Sequence, residues 1–183
     1  MLLPAHPLAR LLRRFRRDRR GATVVEFAMV APLFFALLFA IIEVAMIFFA
    51  SQVLETATQD SARMVMTGQA QGANYSQQDF KKFVCGAVSQ ALFDCNNGIY
   101  VDVRSYPATS FSTVNLVPII DPTQVKWCPG KDGDVVVVRL FYQWPLFVTK
   151  VFSSTALANG KRLLIATATF KNEPSGTAGT TCS

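Results

Sequence analysis

The sequence is poor in the residues on which most catalytic sites depend. Its 183 residues include a single histidine, His6, close to the N-terminus. A serine or cysteine nucleophile usually needs a neighbouring histidine as its base, so no such pair can form in the rest of the chain. The sequence also lacks a glycine-rich phosphate-binding loop. We therefore expect no enzymatic activity and no cofactor.

Charge is concentrated at the start of the chain. Residues 1–21 contain seven arginines and one acid, Asp18, and this +6 equals the net charge of the whole protein. Such a run can bind nucleic acid, but here it directly precedes an apolar segment, where the positive-inside rule makes it a cytoplasmic anchor. We predict a basic cytoplasmic leader over residues 1–21 and no nucleic-acid partner. The anchoring residues are Arg13, Arg14, Arg16, Arg17, Arg19 and Arg20.

One apolar stretch is long enough to cross a membrane. Residues 24–50 are interrupted only by Glu26, Pro32 and Glu43, and about 20 helical residues span a hydrocarbon core of ~30 Å. A cleaved secretory signal has a shorter apolar region of about 7–15 residues. We therefore predict a single transmembrane helix over residues 22–50 that contacts membrane lipid, with its N-terminus in the cytoplasm.

Glu43 is an unusual residue for such a segment. In a span from Phe27 to Phe49 it lies about 7 Å from the midpoint, still within hydrocarbon. An acidic residue at the centre of a membrane helix costs roughly 2.5–3.5 kcal/mol on insertion scales. Two interpretations are open for this intramembrane charge. The carboxyl is protonated or reaches outward to the interface, or it contacts a neighbouring helix in an assembly.

The residues after the apolar stretch predict one periplasmic α+β domain over 51–171. Helical spacing of apolar residues extends the first helix to near Gly68. A capping-box-like start at Ser76-Gln77-Gln78-Asp79 predicts a second, short helix. Alternating or β-branched segments predict strands over 99–104, 135–142 and 163–170, and 111–117 is a possible edge strand.

The predicted fold is therefore a long N-terminal transmembrane helix that continues outside the membrane, then a second helix and a small antiparallel sheet of three or four strands. Asp132-Gly133-Asp134 is predicted to form a turn before a strand. Residues 172–183 are rich in glycine, threonine and serine, and we expect a flexible tail there.

All four cysteines lie beyond the apolar stretch: Cys85, Cys95, Cys128 and Cys182. An even number in an oxidising compartment predicts two disulfides, whereas the absence of CxxC pairs and of histidine argues against a metal site. Three connectivities are possible, and we favour Cys85 with Cys95 and Cys128 with Cys182. An unbroken helix over 77–93 would hold Cys85 more than about 7 Å from Cys95. The local pairing thus requires that helix to end early, around Gly86.

The segment Arg19-Arg20-Gly21-Ala22-Thr23-Val24-Val25-Glu26-Phe27, the Pro-Leu-Phe-Phe run and Ile42-Glu43 resemble the TadE-like pseudopilins of tight-adherence (Flp) type IV pilus systems. The resemblance extends to Tyr142-Gln143-Trp144-Pro145, interpreted as a turn, and to the Phe170–Pro174 end of the last strand. It implies a pilin-like fold and cleavage after Gly21 by the prepilin peptidase. Ala22 would then be the new N-terminus, with Glu26 and Phe27 as the fifth and sixth residues.

The resemblance further implies a minor pseudopilin that acts structurally in pilus assembly at the bacterial inner membrane. Its implied partners are the prepilin peptidase, other pseudopilins or the major pilin, and the inner-membrane pilus assembly platform. A TadG-like role stays open. The alternative function is an uncleaved single-pass envelope protein with a periplasmic binding domain, which explains the topology but not the glycine and Glu26.

Overall fold

The computed structural model describes residues 21–88, 92–95, 97–109, 124–149, 157, 159–176 and 179–180. Three helices precede three strands in these ranges: α1 (Ala22–Met66), α2 (Gln69–Gly72), α3 (Gln77–Ala87), β1 (Ile99–Tyr106), β2 (Val135–Pro145) and β3 (Lys161–Lys171). The predicted α+β class, with a long apolar helix before a small antiparallel sheet, is confirmed. The possible strand over 111–117 lies outside the described residues.

The chain divides into two compact units, Met1–Ile42 and Glu43–Ser183. The described part of the first unit consists of Gly21 and the beginning of α1. Its large apolar side chains are exposed on every face of the helix, a pattern typical of a helix surrounded by lipid. The helix runs without interruption through Pro32, which is tolerated in apolar membrane helices although it removes one backbone donor.

In the second unit, α1 buries one face and so becomes part of a core. The buried residues recur at three- and four-residue spacing, which is the spacing of a single helix face. They include Ile47, Ala50, Leu54, Ala57, Ser61 and Val65. The predicted continuation of the helix to near Gly68 is confirmed. Gly68 adopts a left-handed conformation with φ 74°, which suits glycine because it has no Cβ.

The predicted capping box begins α3 as expected. The Ser76 hydroxyl accepts a hydrogen bond from the Asp79 backbone N–H at 3.3 Å, and the Ser76 N–H donates to the Asp79 carboxylate at 3.2 Å. The helix ends at Ala87, and Val88 is already extended. This early end brings the Cα atoms of Cys85 and Cys95 to 5.7 Å, and the predicted disulfide between them is present.

The second predicted disulfide is only partly described. Cys128 is disulfide-bonded, but Cys182 lies outside the described residues, so their pairing stays a prediction.

The sheet has the order β1-β2-β3, and both pairs are antiparallel. Val136, Val138 and Leu140 on one face of β2 join the same hydrophobic cluster as Leu54 of α1 and Phe80 of α3. β2 is also buried on its opposite face, as expected for the central strand that its β-branched sequence predicts. The predicted turn at Asp132-Gly133 precedes this strand.

One expectation about the sheet was wrong. Residues 142–145 do not form a turn, because they are the last four residues of β2 and pair with Leu164 to Lys161 of β3.

The charged Asp102 of β1 is fully buried, as are its apolar neighbours Val101 and Val103. It is buried because Arg139, its direct partner on β2, donates to its carboxylate at 2.6 Å, and Arg104 donates at 3.1 Å. A buried carboxylate needs such partners.

The segment that follows β3 makes several contacts in its described residues. The Glu173 N–H donates to the carbonyl of Met66 at the end of α1. Asn172 is buried, and its side-chain amide donates to the carbonyls of Pro129 and Lys131. Gly176 N–H donates to the Asp132 carboxylate at 2.9 Å. Flexibility of the tail as a whole stays a prediction.

Candidate functional site: two carboxylates of the long helix

The predicted cleavage point coincides with the beginning of α1. Gly21 immediately precedes the helix, and Ala22 is its first residue. A Cβ atom placed on Gly21 would meet no other atom within 4 Å, so the Gly21–Ala22 peptide bond lies in open space within the described part of the chain. The arginines of the leader lie outside the described residues.

Glu26 lies one helical turn after Ala22 and is exposed, as is Phe27. Residues four apart occupy the same face of a helix, so the side chains of Ala22 and Glu26 lie on one face of α1. Within the described residues Glu26 has no hydrogen-bond or ion-pair partner. The described part of the chain therefore offers no compensating charge to this acidic side chain.

Glu43 has a different environment. Its residue exposure is 8%, and its carboxylate accepts three backbone N–H bonds from consecutive residues after β2: Phe147 at 2.6 Å, Val148 at 2.9 Å and Thr149 at 2.8 Å. Three successive N–H groups converging on one anion form a backbone nest. Hydrogen bonds to a charged acceptor are shorter and stronger than neutral ones, so this contact fixes residues 146–149, here called the β2 tip, against α1.

Large apolar side chains surround the Glu43 contact without being buried by it. Val44, Met46, Phe48 and Phe49 follow Glu43 on α1 and are exposed. In the β2 tip, Leu146 is buried, whereas Phe147 is 78% exposed. The carboxylate is thus sequestered while the apolar groups beside it face outward, the reverse of a water-facing surface.

The described residues contain no group of three or more histidine, cysteine, aspartate or glutamate side chains that could hold a metal ion. The buried cluster of Asp102, Arg104 and Arg139 is closed on itself, because Asp102 also accepts the Lys126 backbone N–H at 2.8 Å. Its carboxylate oxygens are occupied by donors from three segments of the chain. This cluster stabilises the sheet and offers no open position for a ligand.

Both carboxylates lie in the part of the chain that a known family matches. Residues 21–63 match the family model described as TadE-like protein. The family predicted from the N-terminal motif is confirmed over this TadE-like segment, which begins at Gly21 and ends within α1. A TadE-like segment indicates a protein associated with Tad pili. No curated protein and no solved structure matches the chain.

α1 is also a candidate membrane span. It is the helix in the described ranges that is long and apolar enough to cross a bilayer, with a mean hydropathy of 2.7 in its most apolar window. A single long apolar helix near the N-terminus is consistent with a single-pass membrane anchor. The TadE-like segment of residues 21–63 ends within this helix and does not reach the sheet.

The sequence did not reveal what Glu43 binds. Neither proposed interpretation, an outward-reaching carboxyl or an intermolecular contact, included backbone donors of the same chain that are 104 to 106 residues away. One signal was available. Leu146-Phe147-Val148 is an apolar run directly after the strand, at a place where a soluble protein usually has a polar turn.

Proposed function

We propose that the protein is a minor pseudopilin of a tight-adherence (Flp) pilus system, with a structural and non-enzymatic role in pilus assembly at the bacterial inner membrane. The observation that carries this proposal is the TadE-like segment, because it starts at the glycine of the predicted processing site and includes Glu26. The exposed Gly21–Ala22 bond and the apolar first part of α1 support the same role.

Cleavage after Gly21 by the prepilin peptidase changes what holds the helix in place. The leader carries seven arginines, which anchor the chain at the cytoplasmic face of the membrane. Their removal leaves α1 with a free α-amine on Ala22 and no basic anchor. The processed helix can then leave the bilayer and enter an assembly. The intact precursor would have to carry the charges of the leader with it.

Glu26 provides the complementary charge for that amine. The carboxylate is exposed and lacks a partner in the described part of its own chain, so it is available to the Ala22 α-amine of a neighbouring subunit. In an apolar environment, removing one partner of such a pair costs about 3–5 kcal/mol. The pair would set the axial register between adjacent helices, either with other pseudopilins or with the major pilin.

The second unit provides the surface that faces other assembly components. A disulfide between Cys85 and Cys95 and a buried ion cluster around Asp102 stabilise it, as suits a small domain outside the cytoplasm. The inner-membrane assembly platform would contact the chain through the membrane helix, which continues directly into this unit.

The deciding experiment is N-terminal and intact mass spectrometry of the protein purified from membranes, with an active and with an inactive prepilin peptidase. We expect a chain that begins at Ala22 only when the peptidase is active. A chain that retains residues 10–20 in both cases would contradict the proposal. It would instead favour the uncleaved, membrane-anchored envelope protein.

A matched pair of variants separates the role of Glu26 from that of general negative charge on the helix. Glu26→Ala should insert into the membrane but impair processing or piliation, whereas Asp60→Ala, at an exposed position of the same helix, should leave both unchanged. Membrane fractionation measures insertion, the mass of the N-terminus measures processing, and surface pilus counts measure piliation. Normal processing and normal piliation with Glu26→Ala would contradict the proposed charge pair.

A further inference from the structure

The β2 tip combines an exposed apolar side chain with three backbone N–H groups that bind one carboxylate. We propose that the β2 tip is a second membrane contact, in which Phe147 inserts into the outer leaflet beside α1. This inference rests on the proposed function only in that α1 spans the bilayer. It adds that the sheet domain itself touches lipid.

The hydrogen bonding of the β2 tip suits a position within the membrane. Non-helical backbone at membrane depth is costly unless its N–H groups have partners, since hydrocarbon supplies none. Glu43 accepts the N–H groups of residues 147, 148 and 149. The same bonds also stabilise the Glu43 carboxylate, because an ionised carboxylate away from water needs hydrogen-bond donors. In water, loop N–H groups could bond to solvent and would not need an acidic residue on an apolar helix.

Phe147 lies at the same depth as the exposed apolar surface of α1. Phe147 lies at the level of Glu43 along α1, because its N–H binds that carboxylate. The exposed apolar surface of the helix does not end at this level. Phe48 is 66% exposed and Phe49 is 55% exposed, and at 1.5 Å per residue they lie about 7.5–9 Å farther along the helix. Since this lipid-type surface extends past Glu43, Phe147 lies within the apolar zone, and its exposed ring continues the surface.

Two basic residues lie beside the β2 tip. In the antiparallel register, Lys161 pairs with Pro145 and Arg162 with Trp144, the residues directly before the β2 tip. Both basic side chains are exposed. An apolar wedge next to lysine and arginine is the arrangement of proteins that lie at a membrane interface, where the cations contact lipid phosphates. The expected ligand is therefore an anionic phospholipid surface.

Site-specific photocrosslinking tests the proposal on the full-length protein in vesicles of phosphatidylcholine and phosphatidylglycerol. The photoreactive residue p-benzoylphenylalanine replaces Phe147 in the test protein, Phe34 of the apolar span in a positive control and Ile165 in a negative control. Ile165 is an exposed apolar residue of β3, four residues or roughly 13 Å along the strand from Lys161. Lipid adducts are counted by mass spectrometry.

We expect lipid adducts at positions 147 and 34 and only background at 165. Adducts at 34 but none at 147, or a crosslink from 147 to a second copy of the chain, would overturn the lipid contact and leave the membrane helix intact. Absence of adducts at both 34 and 147 would overturn the membrane span of the proposed function together with this inference.

A double variant tests the headgroup contact. Lys161→Gln combined with Arg162→Gln should lower the adduct yield at position 147 in vesicles rich in phosphatidylglycerol. It should leave the yield in pure phosphatidylcholine unchanged, because only the anionic lipid attracts the cations. An equal yield from both proteins in anionic vesicles would contradict the role of these two residues.

Discussion

The two parts of α1 belong to one continuous helix but have different surroundings. From Ala22 to Ile42 the helix exposes apolar side chains on all sides, whereas from Glu43 to Met66 it buries one face in the core of the second unit. Hydrophobicity therefore has two meanings along one continuous helix. In the first part it indicates lipid or neighbouring helices, and in the second part it indicates folding of this chain.

The two carboxylates show the same contrast. Glu26 is exposed, and the described part of its own chain holds no partner for it. Glu43 is buried, and its three donors come from its own chain. A charged residue in an apolar helix thus does not by itself mark an assembly contact, and the distinction depends on whether the rest of the chain can reach it.

The sharpest comparison makes the same substitution in both parts of the helix. Leu54→Ala should destabilise the second unit by about 2–5 kcal/mol, because it creates a cavity in a packed core. Leu37→Ala, at an exposed position, should change that stability little. Urea unfolding in detergent measures both, with the fluorescence of Trp127 and Trp144 as the probe, since both tryptophans lie in the second unit. Equal losses for the two variants would contradict the division of the helix.

A smaller effect is expected when the two carboxylates are neutralised. Glu43→Gln keeps the shape but replaces one carboxylate oxygen with an NH2 group that cannot accept a backbone N–H bond, so it should cost about 1–3 kcal/mol of unfolding free energy. It should also speed amide hydrogen exchange at residues 147–149. Glu26→Gln should leave both measurements at the values of the unmodified protein. If Glu43→Gln alters neither stability nor exchange, the Glu43 contact does not hold the β2 tip.

The smallest effect is the response of the second unit to acid. Hydrogen bonds from the Ser76 side chain and backbone lower the pKa of Asp79 below its ordinary 3.8, and the Gly176 N–H chiefly lowers the pKa of Asp132. A carboxylate with a lowered pKa stabilises the fold above its unfolded pKa, and this stability disappears as the pH falls through the folded pKa.

The melting temperature should therefore be flat from neutral pH to about 5 and fall below about 4. Asp79→Asn should reduce that acid sensitivity, because one of the titrating groups is gone. The matched control is Asp60→Asn, since Asp60 is exposed on α1. A melting curve of Asp79→Asn with the acid dependence of the unmodified protein would contradict this account.

Local signals in the sequence predicted much of the fold. Helical spacing predicted that α1 ends near Gly68, two residues after its observed end at Met66. Ser76 and Asp79 predicted the start of α3. β-branched runs located all three strands, and the distance limit between Cys85 and Cys95 linked their disulfide to an early helix end. Each of these depends on neighbours within about one element of chain, so periodicity and capping carry the information.

The contacts that were missed join distant parts of the chain. The Glu43 contact spans more than a hundred residues, and the burial of Asp102 depends on Arg139 of another strand. Alternation along β1 does not predict the burial of Asp102, since periodicity does not show when both faces of a sheet are covered. The prediction of a turn at residues 142–145 was wrong for a related reason. A proline at the end of a strand is also typical of a turn, and the sequence does not show that it pairs with β3.

The disulfide between Cys85 and Cys95 gives the protein a chemical record of where it folded. Glutathione and thioredoxin keep cytosolic thiols reduced, so in the proposed topology this bond would form only in molecules whose second unit has left the cytoplasm. Each exported copy would thus carry a covalent mark of translocation that persists through denaturation. Trapping free thiols with a mass-shifting alkylating reagent would separate exported from retained molecules on one gel, independently of whether the leader has been removed.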